Sequence, residues 1–462
     1  MDKNDLDALK KLPNLPYWYE KSDTRPALDA SLKVDAVIIG AGYTGLWTAY
    51  YLLKTAPNMK IVILEKEYAG FGASGRNGGW ASSIFPVSLS KVEKDFSRAT
   101  AIHLQKTMNE SVDEIQRVLI EEGINADYSK EGYISIARTK SQLIKAKAAV
   151  QETINLGLAD QWMLMNAQES SEKINISQSL GAIYTPHCAV IHPGKLVRAL
   201  AKRVEEMGAK IFEKTAVIKL EDKKVYTQYY CIEAETVIRA TESYSCKLPG
   251  YKRSTIPLYS LALATEPLSE EQRHTLNLNH RTAFNDMRNL LVYAQMTSDH
   301  RLVIGGRGAP YHFGSKISPQ YDLVDSVHIK IRETINDFFP SLKNLQVTHR
   351  WGGALAVARN WYPSVGVNEN KSMAWAGQYT GDGVAMSNLA GRILRNLILG
   401  IEDPINTLPF INKPTKLWVP EPFRWIGVNL GLTMMGLGDK EERVTQHPSK
   451  TVSLLEKLTG AQ

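Results

Sequence analysis

The apolar run Val34-Asp35-Ala36-Val37-Ile38-Ile39 leads straight into Gly40-Ala41-Gly42-Tyr43-Thr44-Gly45, a helix-forming stretch to Leu53, a second apolar run Ile61-Val62-Ile63-Leu64, and then Glu65. Strand, glycine turn, helix, strand and acid in this order leave few folds open: the unit is a βαβ crossover whose turn is built for a dinucleotide. Gly40 permits the tight turn, Gly42 lets backbone come close to a pyrophosphate, and Gly45 lets the helix lie close on the strand. Tyr43 and Thr44 open the helix, where free N–H groups and partial positive charge face the phosphates. Glu65, with Lys66 beside it, ends the second strand and accepts hydrogen bonds from the ribose hydroxyls. Its charge repels a 2′-phosphate, so FAD or NAD fits this unit and NADP does not.

A second glycine-rich string follows, Gly70-Phe71-Gly72-Ala73-Ser74-Gly75-Arg76-Asn77-Gly78-Gly79-Trp80. Its glycines let backbone lie flat against a planar ring, with Ser74, Arg76, Asn77, Gly78 and Gly79 in reach of a cofactor. Further along stand His192-Pro193-Gly194-Lys195-Leu196, Ala264-Thr265-Glu266-Pro267-Leu268, Gly305-Gly306-Arg307-Gly308-Ala309-Pro310-Tyr311 and Gly377-Gln378-Tyr379-Thr380-Gly381-Asp382-Gly383-Val384. In this order and spacing the segments resemble the D-amino-acid-oxidase-like family of FAD-dependent oxidoreductases over most of the chain, nearest to its gamma-glutamylputrescine oxidase branch. The resemblance implies an α/β (α+β overall) flavoprotein of glutathione-reductase type. A Rossmann-like FAD-binding domain would be interleaved with an antiparallel-sheet substrate domain.

At 462 residues two domains are the natural expectation. The 55 basic and 48 acidic side chains, net charge +7, are spread along the sequence with no basic run interleaved with aromatics, which argues against nucleic acid as a partner. Cys188, Cys231 and Cys246 form no CxxC and no metal-ligand spacing. Neither a flavin-linked redox disulfide nor a metal centre is expected, and the sparse cysteines fit a reducing, cytoplasmic setting. The opening Met1-Asp2-Lys3-Asn4-Asp5 is unlike a secretory leader. No apolar run approaches the ~20 residues of a membrane-spanning helix, and association into a homo-oligomer is left open.

Residues 1–33 read as an N-terminal extension anchored by Tyr17, Trp18 and Tyr19; 34–105, 185–255 and 349–410 as the discontinuous FAD-binding domain; 106–184 and 256–348 as the substrate domain; and 411–462 as a C-terminal tail. Periodicity predicts helices over about 90–123, 142–156 and 195–208, and strands over 132–137, 260–265, 290–295 and 301–306. In the tail, Ile426 to Gly438 is apolar but short. It reads as a helix packed on the body or on another subunit in preference to a membrane-surface anchor.

By the resemblance, Val217 offers backbone groups to the adenine, and Thr241 lies beside the ADP part in Ala240-Thr241-Glu242, where the family reads Ala-Thr-Gly. Gly377, Thr380, Gly381, Gly383 and Val384 belong to a turn opening a helix whose N–H groups face the flavin carbonyl, with Asp382 as its cap. FAD is expected to be non-covalent, since no cysteine follows Cys246 and the loop after the second strand holds no histidine. The implied reaction removes a hydride equivalent from the carbon bearing an amine nitrogen. A small-molecule amine is the substrate, and oxygen or another electron acceptor reoxidises the flavin. Amino-acid oxidases of the family hold the substrate carboxylate with an arginine where this chain has Leu355, which points away from a simple alpha-amino acid. Sarcosine oxidases carry an oxygen-activating lysine where Val303 stands. Arg307 and Tyr293 are expected at the flavin, Arg307 binding a remote anionic group, with Tyr259 and Trp351 as walls of an apolar amine pocket. His187, His192 and His349 are the visible candidates for a base. An amino-acid oxidase of glycine, proline or pipecolate type, and a non-catalytic or tRNA-modifying FAD-binding protein, are the alternatives.

Overall fold

Parallel pairing sets the first sheet. In the computed structural model, which describes residues 9–21 and 24–459, its path runs Ser364–Val367, Met373–Gly377, Cys231–Arg239, Leu32–Ile39, Ile61–Leu64, Lys210–Phe212. Only the Ser364–Val367 edge of that path is antiparallel. Strands covered on both faces read as unbroken apolar runs, and Ile61–Leu64 is buried at every position. Register then places the ligand edge. Ile39 pairs with Leu64 and with Arg239, so Gly40, Glu65 and Ala240 emerge side by side at the carboxyl ends of adjoining strands, where open α/β sheets bind ligands. The helices Tyr43–Thr55 and Gly383–Leu399 pack on each other beside this edge. Gly391 allows the contact, since a Cβ there would lie 2.9 Å from the Trp47 backbone.

The second sheet runs Val347–Val357, Ile256–Pro267, Arg301–Gly306, Val292–Met296, Ala283–Asp286, Tyr133–Ala137, Gly181–Thr185, Met163–Met165. It is antiparallel except where Ala283–Asp286 pairs with Tyr133–Ala137. One face buries Leu302, Ile304 and Tyr259 against the helix Asp325–Phe338; the other faces the first sheet. A two-stranded ribbon, Trp80–Ser82 with Cys188–Val190, lies at the crossing between the two parts of the chain.

Two expected boundaries shift. The helix Arg98–Glu121 buries Leu104, Met108, Val112 and Ile115 in the same core as Trp47 and Leu389. Residues 106–121 therefore pack with the nucleotide-binding layer, not with the substrate sheet. Conversely Val347–Val357 is paired along its length with Ile256–Pro267, so 349–357 belongs to the second sheet. Periodicity marks a helix or strand but not the layer it joins.

The tail forms the helices Phe423–Thr445 and Lys450–Thr459. Asn429 exchanges hydrogen bonds with the backbone of Tyr311 at 3.0 Å each way. Asp439 accepts from the N–H groups of Asn289 and Leu290 at 2.6 and 3.1 Å. The longer helix is thereby tied to the two loops that flank Arg307 and Leu291. Among the described residues no helix is long and apolar enough to cross a membrane.

Candidate active site

One continuous cavity runs from Glu65 and Val217 at the edge of the first sheet to Tyr293, Arg307 and Leu355 on the second. Two helix N-termini open on it. Neither Gly42 before Tyr43–Thr55 nor Asp382 before Gly383–Leu399 supplies a side-chain cap, so N–H groups in both first turns, apart from that of Tyr43, are available to anionic or carbonyl oxygens. Gly45 lies behind the first turn, where a Cβ would land on the carbonyl oxygen of Gly40. Each oxygen of Glu65 accepts one backbone N–H, from Ala41 at 3.0 Å and from Glu67 at 2.9 Å. These bonds fix the carboxylate at the cavity wall with acceptor capacity to spare. Lys66, Val217 and Thr241 line the same end. The arrangement fits the ADP part of a dinucleotide.

The glycine-rich loop is held from within and from behind. Ser74 Oγ accepts from the Tyr43 N–H at 2.8 Å, docking the loop on the first helix. Asn77 donates to the carbonyls of Ala73 and Ser74 and accepts from the Gly79 N–H. Arg76 donates to Phe71 O at 2.8 Å and Gly352 O at 3.0 Å and pairs with Asp322 at 3.1 Å. Asn77 therefore builds the loop and Arg76 bolts it to the second sheet, while both still line the cavity. Two buried indoles support it: Trp18 donates to Asn77 O and Trp351 to Arg76 O, each at 2.8 Å. Gly79 stands outside the lining, at φ +75° with the Gln295 side chain and Ile191 O against it.

Tyr293 forms the wall where the two sheets meet. A Cβ on Gly78 or on Gly305 would run into its ring, so both glycines are needed to seat it. Its hydroxyl shares a 2.9 Å hydrogen bond with Ser260 Oγ, and burial pushes its ionisation up. Arg307 donates from Nη2 to Thr380 O at 2.7 Å, its one hydrogen bond to protein among the described residues. Burial pulls its pKa down. Beside it, burial raises the Asp382 carboxyl to about 6 against the pull of Arg307. Asp382 is thus a cavity-lining acid and not the side-chain cap expected from the sequence. Gly381, Gly383 and Val384 line the cavity with it, while Gly377 and Thr380 shape the turn from behind.

Two expected pocket walls are corrected. Tyr259 faces the opposite side of the second sheet, where its hydroxyl bonds to the backbone of Ser318; its neighbour Ser260 faces the cavity. Trp351 lies on the cavity side of its strand but beneath the Arg76 loop, packed on Trp18 and Val303. Neither lines the cavity. None of the three histidines does so either. His192 caps the helix Pro193–Glu206 through Nδ1, and burial takes its pKa down to about 4. Burial lowers His187 and His349 too.

Sequence reasoning passed over Glu242. In place of a glycine it adopts φ +41° and accepts from the backbone N–H groups of Gln378, Ala356 and Tyr379 at 2.7, 3.3 and 3.4 Å. It joins the end of the Cys231–Arg239 strand to the turn that opens the second helix. Burial, opposed by these donors, lifts its carboxyl from 4.5 to about 7. Between those values the folded protein holds a proton that the unfolded chain has released, so this group makes stability fall as pH rises from about 4.5 to about 7. Thermal unfolding followed across that range should show a decline in the native protein that Glu242→Gln lacks. Equal slopes in the two would show that Glu242 is ionised throughout.

Comparison with known proteins agrees with this geometry. Residues 35–397 match the family model described as DAO, FAD dependent oxidoreductase. The chain is 28% identical over 402 residues to a probable oxidoreductase OrdL of Haemophilus influenzae, covering 84% of this chain and 88% of that protein. It is 28% identical over 408 residues to the gamma-glutamylputrescine oxidoreductase of Escherichia coli, covering 87% and 92%. Among solved structures, L-proline dehydrogenase from P. horikoshii superimposes with a TM-score of 0.67 at 21% identity, over 82% of this chain and 96% of that one. Glycine oxidase from Geobacillus kaustophilus does so with a TM-score of 0.69 at 19% identity, over 83% and 99%. With a family match that spans both sheets and the cavity between them, the chain belongs to the DAO family of FAD-dependent oxidoreductases, and FAD is its cofactor.

Proposed function

We propose that this oxidoreductase acts on a primary or secondary amine carrying a remote anionic group, as gamma-glutamylputrescine does. A hydride leaves the carbon bearing the nitrogen, and water then hydrolyses the imine. When bound, FAD supplies the hydride acceptor. The chain's own residues bind and orient. Arg307 supports this reading most: it is a cation inside the cavity with one protein acceptor, leaving donors of its fork for a carboxylate. Leu355, Leu291, Tyr293 and Trp80 give the rest of that end apolar and aromatic walls, suited to a methylene chain. Excluding water there holds a neutral amine close to the acceptor, and proximity supplies much of the rate. The likeness to the E. coli gamma-glutamylputrescine oxidoreductase supports the same substrate class.

A second reading, oxidation of an amino acid of glycine, proline or pipecolate type, draws on the same guanidinium, which would hold the alpha-carboxylate. An anaerobic screen that follows flavin bleaching separates the two. Diamines and N-alkyl amines with a distant carboxylate should bleach the flavin; bleaching by alpha-amino acids alone would replace the first reading with the second. Reoxidation is by oxygen or another electron acceptor. The three cysteines, all free, support placing the enzyme in the cytoplasm. FAD is held without a covalent bond: acid precipitation should release intact FAD into the supernatant, and yellow colour left in the pellet would refute this.

A further inference from the structure

Among the described residues, one face of the helix Phe423–Thr445 has no partner. Phe423, Ile426, Leu430 and Leu437 recur at helical spacing on that face and are 51–69 % exposed. The apolar surface continues off the helix onto the exposed Leu417 and Val419. Contiguous exposed apolar surface of this kind marks an interaction site.

Charge decides the occupant. At the Phe423 end the surface is edged by Lys252, Arg253 and Lys416, all exposed. The Lys252–Arg253 turn is fixed there by Arg253 Nε donating to Trp418 O at 2.6 Å and by Arg424 donating to Lys252 O at 3.3 Å. The acid in this region, Glu421, is taken up by Arg424, Tyr311 and the Gly314 and Trp425 N–H groups. From Trp425 to Gly438 the helix carries no charged residue at all. A second copy docked by the same face would set basic edge toward basic edge if the helices ran parallel. If antiparallel, it would meet Asp439, Glu441 and Glu442, which are already taken up by the Asn289 and Leu290 N–H groups, by Ser449 and Lys450, and by Lys145. It would also lack the flanking charges that specify helix pairing. Apolar and aromatic side chains bordered by lysine and arginine suit instead the interface of an anionic bilayer.

We propose that the enzyme docks peripherally on anionic membranes through this face, lying on the bilayer without crossing it. Because Asn429 and Asp439 tie the helix to the loops beside Arg307 and Leu291, the substrate end of the cavity is brought close to the lipid surface.

Flotation of the holoenzyme with phosphatidylcholine vesicles, and with phosphatidylcholine–phosphatidylglycerol vesicles at about 2:1, tests this. Binding to the anionic vesicles is expected, at least ~10-fold above the neutral ones. The triple variant Phe423→Ser/Ile426→Ser/Leu430→Ser should lose it at unchanged flavin content. Lys252→Glu/Lys416→Glu, which alters only exposed side chains, should lose it even if the apolar variant folds poorly. No binding by the native holoenzyme, binding undiminished in the charge variant, or a stable dimer in light scattering that the apolar variant dissociates would each overturn the proposal.

Discussion

Arg307→Met is expected to leave the protein yellow and to raise KM for its amine about 10²-fold, with a smaller change in kcat. The size follows from the loss of charge-assisted hydrogen bonds to a buried anion, worth about 3 kcal/mol where water is excluded. The selectivity of the loss is the sharper test. An amine of the same length without the anionic end should be oxidised equally well by native and variant enzymes, because Arg307 has nothing to bind in it. Arg307→Lys should recover part of the affinity, as a point charge replaces a planar fork. If KM for anionic and uncharged amines changes alike, Arg307 serves only to fix Thr380 O at the turn.

Gly45→Val should give a protein that purifies without bound flavin. At Gly45 a Cβ would lie 2.1 Å from the Gly40 carbonyl oxygen and 3.1 Å from the Ile38 side chain. No side-chain rotation relieves a clash with backbone, so the first helix must move off the strand and carry its N–H groups with it. Overpacking of this kind costs about 1–3 kcal/mol in stability, but the loss in cofactor affinity should be larger, since the pyrophosphate cradle itself is displaced. The flavin-to-protein absorbance ratio measures it. Titration with added FAD shows whether affinity or folding has failed. Full flavin content in the variant would mean that the turn is not the cofactor's grip.

The nucleotide end was legible in the sequence because its geometry is local. Gly40, Gly42, Gly45 and Glu65 sit at fixed offsets within one crossover, and register carries them to one edge. The substrate end depends on parity and depth along long strands. A one-residue error on Ile256–Pro267 exchanges Tyr259 for Ser260, because successive side chains face opposite sides. Trp351 shares a side with Leu355, yet the Arg76 loop covers one and leaves the other open. Arg76 and Asn77 line the cavity as expected, but they also hold the loop together and to the second sheet, which no pattern of residue types reveals. Glu242 did leave a trace, as an acid where the resembling family has glycine. Its three backbone partners lie more than a hundred residues away, beyond what spacing can show.

The segments around Gly42, Val217, Glu242, Leu355 and Gly383 are far apart in the chain and converge on a single elongated void. Whatever fills that void binds the native arrangement and not the unfolded one, so occupancy adds RT ln(1 + [L]/Kd) to the resistance against opening. Heat tolerance and protease resistance should then track cofactor supply. In a cell short of flavin, the amount of this enzyme, and not merely its activity, would decline.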